Sequence, residues 1–403
     1  MHSLYLLTLA AAGVVANVVV DDNTCHRNKG VCEPQSLCEY NYNFGDLSFD
    51  QSCRVKDGVN FYPQQIHLAF AGTKTGTAMT VSWATFEDVT DSSVWVGSSE
   101  DTLELVETPV SSDSYYSDDE YDLFHHHATI TGLKPRTKYF YKVGSRGDEK
   151  YTSEVSSFIT ARPATDDSTF NALIYGDLGD GKNSVDTIAA VNKMTSDDID
   201  LVYHLGDVSY ADNDFLTVNQ AAGFFYEEVY NKWMNSLMPL MSCVPYMVLV
   251  GNHEAECHSP SVLNSENDIP TGQTAEIQAA FEDLFLKYKV DVVLTGHKHY
   301  YERGLPIANN KAVLDGVSND YEVYDNPQAP VHILTGGAGQ SEGLSIPPSH
   351  TASWNAVSHY EHFGYSMLEA NRSTLVWKYI LSSDQTVQDE FVMYKTDPTQ
   401  SDS

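Results

Sequence analysis

The chain has 403 residues, 42% of them hydrophobic, with 56 acidic against 23 basic side chains and a formal net charge of −33. Its length exceeds one average domain, and its apolar content supports packed cores rather than disorder. The charge excludes a general affinity for nucleic acid or an anionic membrane, and any anionic substrate must be drawn in by a local positive site, such as bound metal ions.

Leu4 to Val15 is a mostly apolar run, too short to span a bilayer and closed by the small-residue pattern Val14-Val15-Ala16. Residues 1–16 therefore read as a secretion signal. No later run reaches the roughly 18 apolar residues of a membrane-crossing helix. Residues 17–60 form a Cys-rich extension in which Cys25, Cys32, Cys38 and Cys53 suit two disulfides of open pairing. They lack the paired Cys-x-x-Cys units of a zinc ribbon.

Residues 61–162 have the pattern of an all-β domain. Ile66 to Phe70, Ala78 to Trp83, Ser93 to Val96, His127 to Ile130 and Lys138 to Val143 are short alternating runs between Gly, Asp and Ser clusters. Leu133, Pro135, Thr137, Tyr139, Tyr141 and Val143 resemble the end of a fibronectin-III-like sandwich, in which a tyrosine pins a corner. The acidic run Asp113 to Asp122 reads as a solvated loop. Strand alternation splits His125, His126 and His127 between faces, which argues against a shared metal.

The pattern changes after Pro163. Phe170 to Tyr175, Leu201 to Leu205, Tyr246 to Val250 and Val290 to Leu294 are apolar, β-branched strands. Helical stripes lie between them: Tyr226, Val229, Trp233 and Leu237, then Ile277, Ala280, Phe281, Leu284, Phe285 and Tyr288. Strands alternating with helices predict βαβ units, a largely parallel sheet with covered faces, and ligands at the carboxyl ends of its strands. This α/β domain is expected over 168–325. Val331 to Leu334, Tyr365 to Glu369, Thr374 to Tyr379 and Glu390 to Tyr394 predict a second sheet completing it over 326–397. Cys243 and Cys257 bracket Asn252-His253 and are expected to form a disulfide in an oxidising compartment. Asn371-Arg372-Ser373 is a glycosylation sequon.

Four short runs sit where the strands end: Gly176-Asp177-Leu178-Gly179, Gly206-Asp207-Val208-Ser209-Tyr210, Gly251-Asn252-His253-Glu254 and Gly296-His297-Lys298-His299. Two Asp, a Tyr, an Asn and two His form a mixed oxygen–nitrogen set suited to two transition-metal ions. The glycines let backbone approach the ions closely. A phenol, with an unperturbed pKa near 10, ligates well only beside a strongly Lewis-acidic ion, so Tyr210 points to ferric iron at one position. His253, at the same strand tip as Asn252, is a candidate hydrogen-bond donor or general acid beside the ions. Glu254 is expected to orient an imidazole. His204, before the Gly-Asp turn, suits either a core histidine or an orienting group.

This series resembles the purple acid phosphatase branch of the metallophosphoesterases, from about Phe61 through the C-terminal β region, including Pro63-Gln64-Gln65-Ile66 and Gly336-Gly337. The resemblance implies a β plus α/β architecture: a fibronectin-III-like sandwich followed by a calcineurin-like domain of βαβαβ units, a two-sheet sandwich flanked by helices. It implies that Asp177, Asp207, Tyr210 and His299 hold Fe(III), that Asp207 bridges, and that Asn252 and His297 hold a second divalent metal (Zn, Mn or Fe). The activity implied is that of a secreted acid phosphatase in which metal-bound hydroxide attacks small phosphate monoesters, with no nucleic-acid or membrane partner.

The resemblance breaks at one point. The family's Val-x-x-His motif, whose histidine completes the second metal, has no counterpart in Ala255 to Gly296, a stretch of only 42 residues. The domain is shortened between 255 and 275. The expected consequences are a weaker second metal site and an exposed sheet edge. A truncated, weakly active or inactive form of such an enzyme is therefore the alternative, as is a phosphodiesterase or nucleotidase of the same superfamily, against which Tyr210 argues.

Overall fold

The computed structural model describes residues 6–9, 42–43, 48–49, 62–114, 123–212, 224–254 and 272–396. The cysteines of the N-terminal extension, Cys257 and the acidic run beyond Ser114 lie outside these residues.

The first domain is a sandwich of two antiparallel sheets. One has the order Gln64–Ala71, Ala78–Thr85, Phe124–Thr131, Val110–Asp113. The other has the order Ser156–Ile159, Lys138–Ser145, Ser92–Gly97, Glu104–Leu105. Alternation buries Val81, Trp83, Ala128, Ile130, Tyr141 and Val143 between the sheets. The backbone N–H of Lys134 donates to Tyr139 Oη at 3.1 Å, pinning the corner. The three histidines divide as alternation requires. His126 is buried against Trp83 with Thr85 and Ser92 on its nitrogens, whereas His127 is exposed.

The second domain layers helices on both outer faces of two packed sheets. The larger sheet runs Tyr246–Val248, Leu201–His204, Phe170–Tyr175, Gly364–Ala370, Thr374–Leu381, Val387–Tyr394, Val323–Asp325. The smaller centres on Val292–Thr295, Val331–Thr335 and Tyr301–Ala308, with Lys311–Ala312 and Asn355–His359 on the last. Leu294, Tyr301 and Ile333 of one sheet pack on Leu368, Trp377 and Phe391 of the other. The helices Val185–Val191 and Phe224–Ser236 cover the larger sheet through Ala190, Val191 and Trp233. The helix Gly272–Tyr288 covers the smaller through Phe281 and Phe285.

Two expectations are corrected here. The large sheet is mixed: Phe170–Tyr175, Leu201–His204 and Tyr246–Val248 are parallel, but Gly364–Ala370 and its successors join antiparallel. The C-terminal strands therefore do not form a sheet of their own. Short links such as Asn371–Ser373 leave no room for a crossover and permit only hairpins. In the helix stripe, Leu284 and Tyr288 stay exposed at 44% and 54%.

The edge strand Tyr246–Val248 of the large sheet exposes Met247 and Val248 at 40% and 54%, and Val250 beyond it is 67% exposed. In the smaller sheet Val292–Thr295 pairs in parallel with Leu6–Leu9, part of the run read as a leader. The two sheets are also tied by charge, since Arg303 makes a two-pronged contact with Asp389, Nε and Nη2 each 2.7 Å from a carboxylate oxygen.

Candidate metal centre

The strands Phe170–Tyr175, Leu201–His204, Tyr246–Val248 and Val292–Thr295 bring the four ligand runs to one edge of the domain. Asp177, Asp207, Tyr210 and His297 all take left-handed backbone conformations, with φ of 60°, 52°, 58° and 75°. Non-glycine residues adopt these only when the surroundings compel it, and such strain collects at functional sites. The turns are packed without slack. A Cβ on Gly251 would lie 2.1 Å from Asp207 Oδ1, and one on Gly296 2.9 Å from Asp177 Oδ2.

The side chains meet in two groups. In the first, Tyr210 Oη donates to Asp177 Oδ1 at 3.1 Å and lies 3.2 Å from His299 Nε2, which is itself 3.4 Å from Asp177 Oδ1. In the second, His297 Nδ1 lies 3.1 Å from Asn252 Oδ1 and 3.9 Å from Asp207 Oδ2. Backbone N–H groups link them, that of His297 donating to Asp177 Oδ2 at 2.7 Å and that of His253 to Asp207 Oδ1 at 3.0 Å.

Burial raises the Asp177 carboxyl to about 7, against the pull of the His297 N–H and the Tyr210 hydroxyl. Burial, with the charge of Asp177 beside it, also raises Asp207 to about 7. Burial and the same two carboxylates hold the Tyr210 phenol well above its usual value. Burial lowers the His299 pKa, against the charges of Glu342 and Asp207. Two sunken carboxylates facing a phenol and an imidazole are a donor set that a highly charged cation neutralises, so the residues present fit the iron half of the implied centre. The other half offers the shared Asp207, one amide and one imidazole. Among the described residues, no three His, Cys, Asp or Glu side chains stand in position to hold one ion. The donors instead contact one another in the groups above.

His253 lies over the Tyr210 ring, with centroids 4.0 Å apart. Its Nδ1 is 2.8 and 3.0 Å from the oxygens of Asp212. Its Nε2 faces Glu342 at 3.9 Å, and Glu342 also lies 3.9 Å from His299 Nδ1. Burial pulls the His253 pKa down, but the hydrogen bond and charge of Asp212, with Asp207 and Glu342, raise it to about 9.

Two expectations, for Glu254 and Cys243, are corrected, and the alternative left open for His204 is resolved. Glu254 does not orient an imidazole; its carboxylate accepts the backbone N–H groups of Asp207, Val208 and Gly251 at 2.8–2.9 Å and ties two ligand turns together. His204 is a core histidine, bonded through Nδ1 to Tyr246 Oη at 2.7 Å among Tyr175 and Trp233. Cys243 is a free thiol. Its Sγ lies 3.8 Å from Ser242 Oγ, and the residue faces Tyr141 and Ser157 of the sandwich rather than the Asn252 turn. Asn371 is exposed, and its Oδ1 accepts the N–H groups of Ser373 and Thr374.

Asp212 and Glu342 were absent from the expected site. Asp212 follows Tyr210 by two residues in the same turn, and that proximity was the available signal. Glu342 comes from a fifth strand tip, where the N–H of Gln340 donates to Asp177 O at 3.1 Å. Its only cue is the Gly-rich run after Thr335.

Comparison with known proteins agrees with this architecture. Residues 63–160 match the family "Purple acid Phosphatase, N-terminal domain", 170–277 match "Calcineurin-like phosphoesterase", and 329–390 match "Iron/zinc purple acid phosphatase-like protein C". The unmatched stretch 278–328 carries His297 and His299. The chain is 25% identical over 429 residues to a phosphoenolpyruvate phosphatase of Allium cepa, covering 87% of this chain and 85% of that one. It is 24% identical over 369 residues to "Probable inactive purple acid phosphatase 24" of Arabidopsis thaliana, covering 66% of this chain but only 57% of that one. The structure of a purple acid phosphatase from yellow lupin (Lupinus luteus) seeds shares the fold, with a TM-score of 0.65 at 20% identity over 83% of this chain and 75% of that one. Matched in order along its length, the chain belongs to the purple acid phosphatase family of metallophosphoesterases.

Proposed function

We propose that this chain is a secreted phosphatase for small phosphate monoesters. Asp177, Asp207, Tyr210 and His299 would hold Fe(III), and Asp207, Asn252 and His297 a divalent ion. The observation that carries this reading is the meeting of Tyr210 Oη with Asp177 Oδ1 and His299 Nε2, at 3.1 and 3.2 Å, from three separate strand tips. When bound, such a pair of cations clamps a phosphate and raises the acidity of a coordinated water.

The protein's own groups do the rest. Asp212 fixes His253 at Nδ1 and keeps it charged, and Nε2, on the side of Glu342 and the ligands, would donate to a phosphate oxygen or to the departing alcohol. Glu254 locks the Asp207 and Asn252 turns in register. Buried walls around Asp177 and Tyr210 exclude water and strengthen every charge interaction within. Secretion is supported by the exposed sequon at Asn371.

A second reading is a weakly active or inactive member. It is supported by the three-donor second half-site and by the absence of Val-x-x-His from 255–296. Metal content and turnover separate the two. Purified chain loaded with iron and zinc is assayed on an aryl phosphate monoester and diester at acidic pH, beside a version with a family-length insert after Ser265. Two metals per chain and monoester turnover support the phosphatase. Diester preference overturns it in favour of the diesterase, and one iron with turnover only after insertion supports the impaired form.

A further inference from the structure

The Pro63-Gln64-Gln65-Ile66 run has no part in the metal centre, yet its backbone is strained. Gln65 has φ of 53° and sits where the pairing of Gln64–Ala71 with Ala78–Thr85 slips register. A bulge of this kind re-aims a side chain, and strain that persists points to a purpose. The bulge turns the sandwich edge onto the helix Phe224–Ser236. The Gln65 N–H donates to Asn235 Oδ1 at 2.9 Å, and Gln65 Nε2 to Asn231 Oδ1 at 2.6 Å. Asn235 Nδ2 donates to Asn231 Oδ1 at 2.9 Å and reaches Gln64 Oε1 at 3.4 Å. All four side chains belong to residues no more than 3% exposed.

The seam continues beyond this ladder. Tyr141 Oη donates to Ser242 O at 2.7 Å, Leu68 bridges to Pro245, and Met238 packs in the sandwich core. From the helix, Trp233 packs tilted against His204, with centroids 5.7 Å apart, and edge-on to Tyr246 at 6.4 Å. These are residues of the two strands whose tips carry Asp207 and Asn252.

We infer that Gln65 is a positioning residue. Through Asn231 and Asn235 it fixes the helix whose Trp233 braces the Asp207 strand, so the sandwich is a permanent clamp on the metal centre and not a separately moving recognition module. Buried amides are costly to leave unpaired, so removing the Gln65 side chain loosens the helix against the sandwich edge. The inference stands on contacts within the protein and does not require the chain to be an active phosphatase.

The test is hydrogen exchange of the full chain, wild type against Gln65→Leu, read at Gly206–Tyr210 with the distant strand Thr374–Leu381 as internal reference. Exchange at Gly206–Tyr210 is expected to quicken about tenfold or more in the variant, while the reference strand stays level. A folded variant with unchanged exchange at Gly206–Tyr210 overturns the inference. Calorimetry of the wild type guards against a variant that fails to fold. One cooperative transition for sandwich and α/β domain together is expected, and two separate transitions overturn the clamp without any variant.

Discussion

Asp212 holds His253 from behind, both of its carboxylate oxygens within 3.0 Å of Nδ1, which leaves Nε2 turned towards Glu342 and the ligands. The pair makes the charge on this imidazole a property of one neighbouring residue. In the metal-free protein, His253 is expected to titrate near 9. In Asp212→Asn burial is opposed only by Asp207 and Glu342, and the value is expected to fall. The stabilisation from the pair is complete below the unfolded pKa and lost as pH rises through about 9. The stability gap between wild type and Asp212→Asn should therefore shrink across that window. NMR titration and urea unfolding of both proteins test this; a gap that widens with pH refutes it.

Asp177 and Asp207 titrate the other way round from most carboxylates, because the fold favours their protonated forms. Their contribution to the metal-free fold is greatest below the unfolded value of 3.8 and is lost as pH rises through about 7. Cations must displace those protons at acidic pH. Thermal stabilisation by added Zn²⁺ should accordingly be larger at about pH 8 than at about pH 5.5, read by differential scanning fluorimetry. Equal shifts would show that neither carboxylate binds the ion.

Tyr210→Phe removes the phenol that contacts Asp177 and His299. The iron-loaded variant should lose the visible tyrosinate absorption of the loaded wild type while its fold, followed by circular dichroism, persists. A band of undiminished intensity would assign the colour to another tyrosine.

Gly251→Ala places a Cβ 2.3 Å from Asp207 N as well as against its carboxylate. No flexible end is available to yield, so the Asp207 turn must move. A loss of about tenfold or more in metal affinity is expected by isothermal titration. Affinity within twofold of wild type would mean the turn is softer than its packing implies.

Asp389→Ala strands Arg303 between the sheets, where the two side chains are 6% and 2% exposed. Unfolding free energy should fall by about 3–5 kcal/mol in urea. Metal stoichiometry of the folded fraction should be unchanged, since neither residue touches the centre.

Much of this centre was legible because parallel strands announce themselves. Leu201 to Leu205 is apolar on both faces, and the Gly-Asp that follows marks its tip. The hairpins of the C-terminal half were harder to place. Thr374–Leu381 alternates as expected, but alternation does not say which strand it will pair with, so its docking beside Phe170–Tyr175 through Gly364–Ala370 was not foreseen. Polar partners were read least well. Glu254 offered a carboxylate next to a histidine, yet the backbone N–H groups of two turns won it, because orphaned amides at strand ends compete for any acceptor in reach. His204 went to Tyr246 for a similar reason: a buried imidazole takes the nearest hydroxyl.

The left-handed turns at Asp177, Asp207, Tyr210 and His297 bear on any attempt to borrow this chemistry. A free peptide carrying the same letters would relax out of those shapes and scatter its ligands. Transplanting the centre into another scaffold therefore means copying torsion angles and the tight glycine contacts behind them, not merely copying the motif.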